Sequence, residues 1–204
     1  MGMSDVSAVT ITADTVALDA DGISVAAAVG NNAALVIGGA LASGGAVALS
    51  HGRIVTILSA GNDAAKSFTV VGTDVNGDAQ TESITGANAG TATGAKYFKT
   101  IASITAVGNP AGNVSAGVNA AAADVVFAGR SRLKGIYLTS TATAGTVDLL
   151  TTSPSGTSVM GLSSVGNADA TRDVVIPENG VVFSGGIYLQ YTVSTFLTLT
   201  VFHA

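Results

Sequence analysis

FTVVGTDVNGDAQTESITG, residues 68–86, is the stretch on which the fold turns. Two segments, FTVVGTD and AQTESIT, flank a short loop that holds Asn76-Gly77. Apolar and polar residues alternate along them, and a period of two sorts side chains onto the two faces of a strand. Asn-Gly is the pair most able to take positive φ, which a type I′ turn requires at both central positions. The stretch therefore reads as a β-hairpin, with Thr69, Thr81 and Thr85 on its polar face. Its acids raise a rival reading, a calcium loop. An EF-type loop needs oxygen ligands at positions 1, 3 and 5, glycine at 6 and a bidentate glutamate at 12. Counted from Asp74, glycine comes fourth, Glu82 ninth and Thr85 twelfth. The hairpin fits and the calcium loop does not.

The same signature recurs along the chain. Val9-Thr10-Ile11-Thr12, Ile54-Val55-Thr56-Ile57 and Leu197-Thr198-Leu199-Thr200-Val201 alternate in the same way. Turn signals such as Asp21-Gly22, Gly61-Asn62-Asp63, Asn109-Pro110 and Glu178-Asn179-Gly180 separate these runs. Helical periodicity is nearly absent. The expected fold is all-β, an antiparallel β-sandwich or jelly-roll-like arrangement in two β blocks with little or no helix. Residues 114–124, VSAGVNAAAAD, are small and weakly patterned, and a boundary is expected near 127. That gives an N-terminal β domain over 1–127 and a C-terminal β-sandwich over 128–204. Residues 1–50 either pack within the first block or extend as an arm along a neighbour. The alanine run 120–123 could form one helical turn, alanine being the best helix former.

Composition narrows the function classes. Only 10% of the residues are charged, against about 25% in average domains. So few charges leave a monomer short of polar surface, which points to a homo-oligomer whose subunits cover one another. No basic stripe runs along any element, so nucleic acid is not an expected partner. The start, MGMSDVSAVT, lacks the basic region of a secretory signal, and Val6 stands where a myristoylation motif needs Ser or Thr. Residues 23–49 carry no charge, but five glycines and Asn31-Asn32 interrupt them; strands, not a membrane span, are expected. With no cysteine, thiolate chemistry and disulfides are excluded.

The chain is poor in catalytic groups. Its two histidines, His51 and His203, have no nucleophile elbow to serve. Asp74, Asp78 and Glu82 form one acidic group, and Asp169, Asp173 and Glu178 another. Paired carboxylates can hydrolyse glycosides, but tryptophan is absent and aromatic platforms for a sugar are few. No phosphate loop occurs. The expectation is a non-enzymatic protein without cofactors or metal. One constellation invites a binding role. Arg130, Arg132 and Lys134 place three of the eight basic residues within five positions. On a strand they would share a face, with Ser131 and Leu133 opposite. They mark either a solvated edge or a contact with an acidic partner. Phe196 and Phe202 are the apolar candidates for an interface, with sandwich core as their alternative.

Two stretches resemble virion proteins of tailed bacteriophages. In residues 52–118 the resemblance rests on Gly52-Arg53 before a Thr/Val strand, FTVVGTD at 68–74, TESITG at 81–86, KYFKT at 96–100 and AGNVS at 111–115. Within 132–202 it rests on TAGT at 143–146, IPENGVVF at 176–183 and GIYL at 186–189, which are similar to small virion β-sandwich modules. Together these cover about two-thirds of the chain. The resemblance implies a structural role. Its first form is a capsid decoration (cement) protein on the outer capsid surface of the virion, made in the host cytoplasm. Such a protein would act as a trimer that binds and cross-links the major capsid protein. A tail, neck or fibre component is the alternative, and a calcium-binding bacterial surface adhesin a further one. No catalytic residue is implied.

Overall fold

A computed structural model describes residues 5–166 and 170–204. These form fifteen β-strands in two antiparallel sheets, with no helix among the described residues. The strands are β1 (Ser7–Thr12), β2 (Asp19–Ala28), β3 (Ala42–Ser43), β4 (Ala46–Ser59), β5 (Ser67–Thr73), β6 (Ala79–Thr85), β7 (Thr91–Val107), β8 (Asn113–Phe127), β9 (Ser131–Ser140), β10 (Ala144–Thr151), β11 (Thr157–Val165), β12 (Thr171–Val175), β13 (Val181–Phe183), β14 (Ile187–Thr192) and β15 (Phe196–His203). Among the described residues no helix is long and apolar enough to cross a membrane.

The chain divides into two compact units: Met1–Val16 with Ala121–Ala204, and Ala17–Ala120 between them in sequence. This differs from a single cut near 127. The first unit takes back the start of the chain because β1 pairs with β15 over six residues, Ser7↔His203 to Thr12↔Thr198. The other transition falls inside β8. The alanine run 120–123 belongs to that strand instead of a helical turn. Ala121, Ala122 and Ala123 pair with Thr192, Tyr191 and Gln190 of β14. Ladder hydrogen bonds and burial of Ala122 and Ala123 override a preference worth a few tenths of a kcal/mol per residue.

The first unit is a jelly roll. One sheet runs β1-β15-β9-β12, with β13 continuing β12 along β9; the other runs β11-β10-β14-β8. The pairs β1:β15, β8:β14, β9:β12/β13 and β10:β11 are those of one long hairpin wound into a double-sheet sandwich. The second unit is thus an insertion between the first and second strands of the roll. The sandwich core joins Leu133, Ile136 and Leu138 of β9 and Leu199 and Val201 of β15 to Val147 and Leu149 of β10 and Ile187 and Leu189 of β14.

In the second unit the order is β8-β4-β7-β5-β6, with β2 on β8 and β3 on β4. β7 is long enough to pair with β4 through its first part and with β5 through its last. The sheet curls until β6 reaches β7 through side chains. Gln80 Nε2 donates to Tyr97 O (2.8 Å) and Lys96 Nζ donates to Thr81 O (2.8 Å). Phe68, Val70, Phe98, Ile101 and Ile104 fill its core. The β5–β6 hairpin holds unbroken register from Ser67↔Thr85 to Thr73↔Ala79. Its turn is not type I′. Gly77 N–H closes on Asp74 O (3.1 Å) around Val75 and Asn76, and of these loop residues only Gly77 has positive φ, 90°. The Asp74 carboxylate, accepting from the N–H groups of Asn76 (2.8 Å) and Asp78 (3.0 Å), supports this longer loop.

Candidate functional site

The outer face of the β1-β15-β9-β12 sheet gathers most of the residues singled out for binding. Cross-strand register sets them in rows. Ala8, Phe202, Gly135 and Val175 form one row, and Thr10, Thr200, Tyr137 and Asp173 the next. Thr12, Thr198, Thr139 and Thr171 form a third. Residues opposite one another in an antiparallel ladder point to the same side. Beyond the Phe202 row, Arg132 stands between Ala204 and Val182. The face is therefore basic at one end, apolar around Phe202 and Val175 in the middle, with the exposed Asp173 beside Tyr137, and lined with threonine hydroxyls at the other end.

The apolar middle is exposed to a degree that a core strand is not. Val175 is 78% exposed, Tyr137 41% and Phe202 36%. A Cβ at Gly135 would crowd Val174 O at 3.1 Å, while Phe202 Cδ2 would lie at an ordinary contact distance of 3.6 Å. At the basic end, Ser131 and Leu133 are buried while Arg132 and Lys134 reach the surface, the alternation expected of a strand. Arg130 is exposed just before β9 begins. Arg132 Nη1 donates to Asn179 O (3.2 Å) and Lys134 Nζ to Glu178 O (2.9 Å). Both partners lie in the Pro177–Gly180 turn, where Glu178 (φ 56°) and Gly180 (φ 73°) are left-handed. The IPENG motif thus supplies carbonyls that hold the two cations at the rim of the apolar strip. At the threonine end, Thr10 and Thr200 hydroxyls lie 2.9 Å apart, and Thr198 and Thr139 hydroxyls 3.4 Å apart.

Phe196, expected among the contact residues, is instead a core residue. It is 1% exposed and packs edge-on against Tyr191, with ring centroids 4.9 Å apart. The shift of register between Phe196 and Thr198 separates it from the alternation of the rest of β15. Asp169 lies outside the described residues. Val175 and Tyr137 were not singled out in the sequence. Strand register alone places them beside Phe202, and no local motif announces it.

Two of the catalytic candidates, His203 and Glu82, are engaged in structural hydrogen bonds. His203 is buried with Nδ1 3.2 Å from Ser131 Oγ, but that hydroxyl also donates to Ala204 O (3.1 Å). A proton committed to a carbonyl is not one that a base can take from a nucleophile. Glu82 accepts from the N–H groups of Ala95 (2.5 Å) and Lys96 (3.3 Å), where β7 departs from regular pairing with β4. Among the described residues no three His, Asp or Glu side chains converge as a metal site. One polar concavity of about 230 Å³ is lined by Thr146, Asp148, Gln190 and Thr192. An apolar one of about 290 Å³ is lined by Leu41, Val47 and Ile101. Neither is lined by a histidine or by two carboxylates.

Within the first unit a buried polar group links three residues distant in sequence. Tyr191 Oη donates to Asp124 Oδ2 (3.0 Å) and accepts from the Asp14 N–H (3.2 Å). Burial, reinforced by the Asp124 charge, pushes the Tyr191 phenol far above its usual pKa. Asp14 lies just before the inserted unit in sequence and Asp124 just after it.

No protein-family model, curated protein or solved structure matches the chain. What the structure defines is a class by fold, an all-β protein built on a jelly-roll sandwich with a β-rich insertion.

Proposed function

We propose that this is a non-enzymatic structural protein that docks onto a larger assembly through the outer face of the β1-β15-β9-β12 sheet. The observation that carries the reading is the grouping of exposed Phe202, Tyr137 and Val175 with Arg132 and Lys134 on one sheet face. Aromatic and arginine side chains around an apolar centre are what protein interfaces concentrate. The cations favour a partner surface carrying acidic groups around an apolar patch. Taken with the resemblance of 52–118 and 132–202 to tailed-phage virion proteins, the assembly is a virion. The role is that of a capsid decoration protein that binds the major capsid protein and works as a homo-oligomer. The tail, neck or fibre role is the second reading, favoured by the same face if its partner is a ring of tail subunits. Copy number in purified particles separates the two, since decoration covers the whole shell and a neck or tail part occupies one ring or a few.

The test is co-sedimentation with shells of the major capsid protein that lack this chain. Arg132→Glu and Phe202→Ser are expected to lose binding by more than about tenfold, while the melting temperature of the free protein changes little. Binding should weaken as salt rises. Wild-type binding by both variants would remove this face as the docking surface.

A further inference from the structure

We propose that the outward edge of β1 is a self-association site through which two copies of the chain join their sheets about a twofold axis. Edge strands offer unpaired N–H and C=O groups, and proteins normally guard them with charges, prolines or bulges. The other edges here are guarded, interrupted or short: β2 carries Asp19 and Asp21, and β3 and β13 have only two and three residues. β12, at the far side of the same sheet, carries Arg172 and Asp173. β6 carries Glu82. β11 contains Gly161, and its register against β10 shifts between Leu149 and Leu150. β1, with the sequence SAVTIT, has no charge, proline or glycine and pairs with β15 without a shift. Among the described residues no other strand pairs with it. Within the whole chain Ser7, Ala8, Thr10 and Thr12 are exposed, and Val9 and Ile11 are only half-buried at the margin of the core.

The strand is complementary to itself. Two copies set antiparallel with Thr10 facing Thr10 bring Val9 opposite Ile11 and Ala8 opposite Thr12. Opposed residues share a face, so Val9 and Ile11 of both copies continue the core side and the threonines continue the outer side. A shift of one residue would turn one copy's apolar side to water. The pairing commits the occupant to a second copy, because each strand supplies both halves of the match. A twofold contact is closed and stops at two. This differs from the threefold arrangement that the resemblance implies, and the mass in solution discriminates between them.

The axis of such a pair is perpendicular to the sheet, so both outer faces look the same way. Two docking faces then engage a scaffold together, and the second engagement is intramolecular. The dimer itself stands on β1; its use in two-point docking rests on the function proposed above.

Analytical ultracentrifugation of the full chain tests the dimer without any scaffold. The wild type should move from monomer to dimer mass as concentration rises to about 1 mM, the range of a small contact. Thr10→Lys and Thr10→Glu should each remain monomeric, since like charges would meet at the axis, and an equimolar mixture should recover the dimer. Thr10→Cys, in a chain that otherwise lacks cysteine, should form a disulfide-linked dimer on oxidation, whereas Thr81→Cys should not. A wild type that stays monomeric throughout, that sediments as a trimer, or that loses nothing in Thr10→Lys would overturn the proposal. Intact dimers that fail to bind shells would instead count against the docking function.

Discussion

Replacing Tyr191 by phenylalanine removes one buried oxygen and nothing else. That oxygen donates to Asp124 (3.0 Å) and accepts from the N–H of Asp14 (3.2 Å), inside the sandwich. A hydrogen bond to a charged group contributes about 1.5–3 kcal/mol and a neutral one about 1. The expected loss at pH 7 is therefore about 2–4 kcal/mol. The pH dependence supplies a sharper test. Tyr191 is held protonated in the folded protein by burial and by Asp124, so its folded pKa lies above the unfolded value. The contribution is fully present below about pH 10. Above it, the unfolded chain releases a proton that the folded one keeps, and stability falls by about 1.4 kcal/mol per pH unit. The variant lacks this slope, so the gap between the two proteins should narrow as pH rises from 10 to 11. Urea unfolding followed by tyrosine circular dichroism suits the measurement, because Tyr137, Tyr188 and Tyr191 lie in the first unit and only Tyr97 in the second. The midpoint at pH 7 should drop by about 1–2 M. Parallel stability curves up to pH 11, or an unchanged midpoint at pH 7, would refute the role assigned to the phenol.

Gly117→Ala should destabilise the second unit by about 3 kcal/mol or more, because its Cβ would fall 1.8 Å from Asp19 O, where β2 crosses β8. Gly44→Ala meets open space and should cost only about 1 kcal/mol through its positive φ of 62°. Thermal melts of the two variants check the contrast. Glu82→Gln should lower stability by about 1–2 kcal/mol by weakening the bonds to Ala95 and Lys96. Millimolar calcium should leave the melting temperature of the wild type and of this variant unchanged, as titration calorimetry can also verify.

The amino-acid sequence by itself determined the strand character of the chain. Alternation at 68–74 and 79–85 specifies a hairpin, and the same alternation on β9 puts Arg132 and Lys134 outside and Leu133 inside. These are local properties, set by a period of two and by the chemistry of each residue. The turn after Asp74 escaped this reading because Asn-Gly is compatible with several loops, and the aspartate's bonds to two N–H groups select among them. Alanines 120–123 escaped it because helix propensity is weak beside pairing with β14. Phe196 alternates with the surface residues of β15 on paper, and a shift of register turns it into the core. Only the tertiary structure decided that β1 belongs with β15, that 17–120 is an insertion, and that Tyr137 and Val175 stand beside Phe202. Strand pairing joins residues up to 196 positions apart, Ser7 with His203, and no local pattern names a strand's partner. The choice is made by which apolar faces can be buried together, a property of the whole chain and not of any stretch of it.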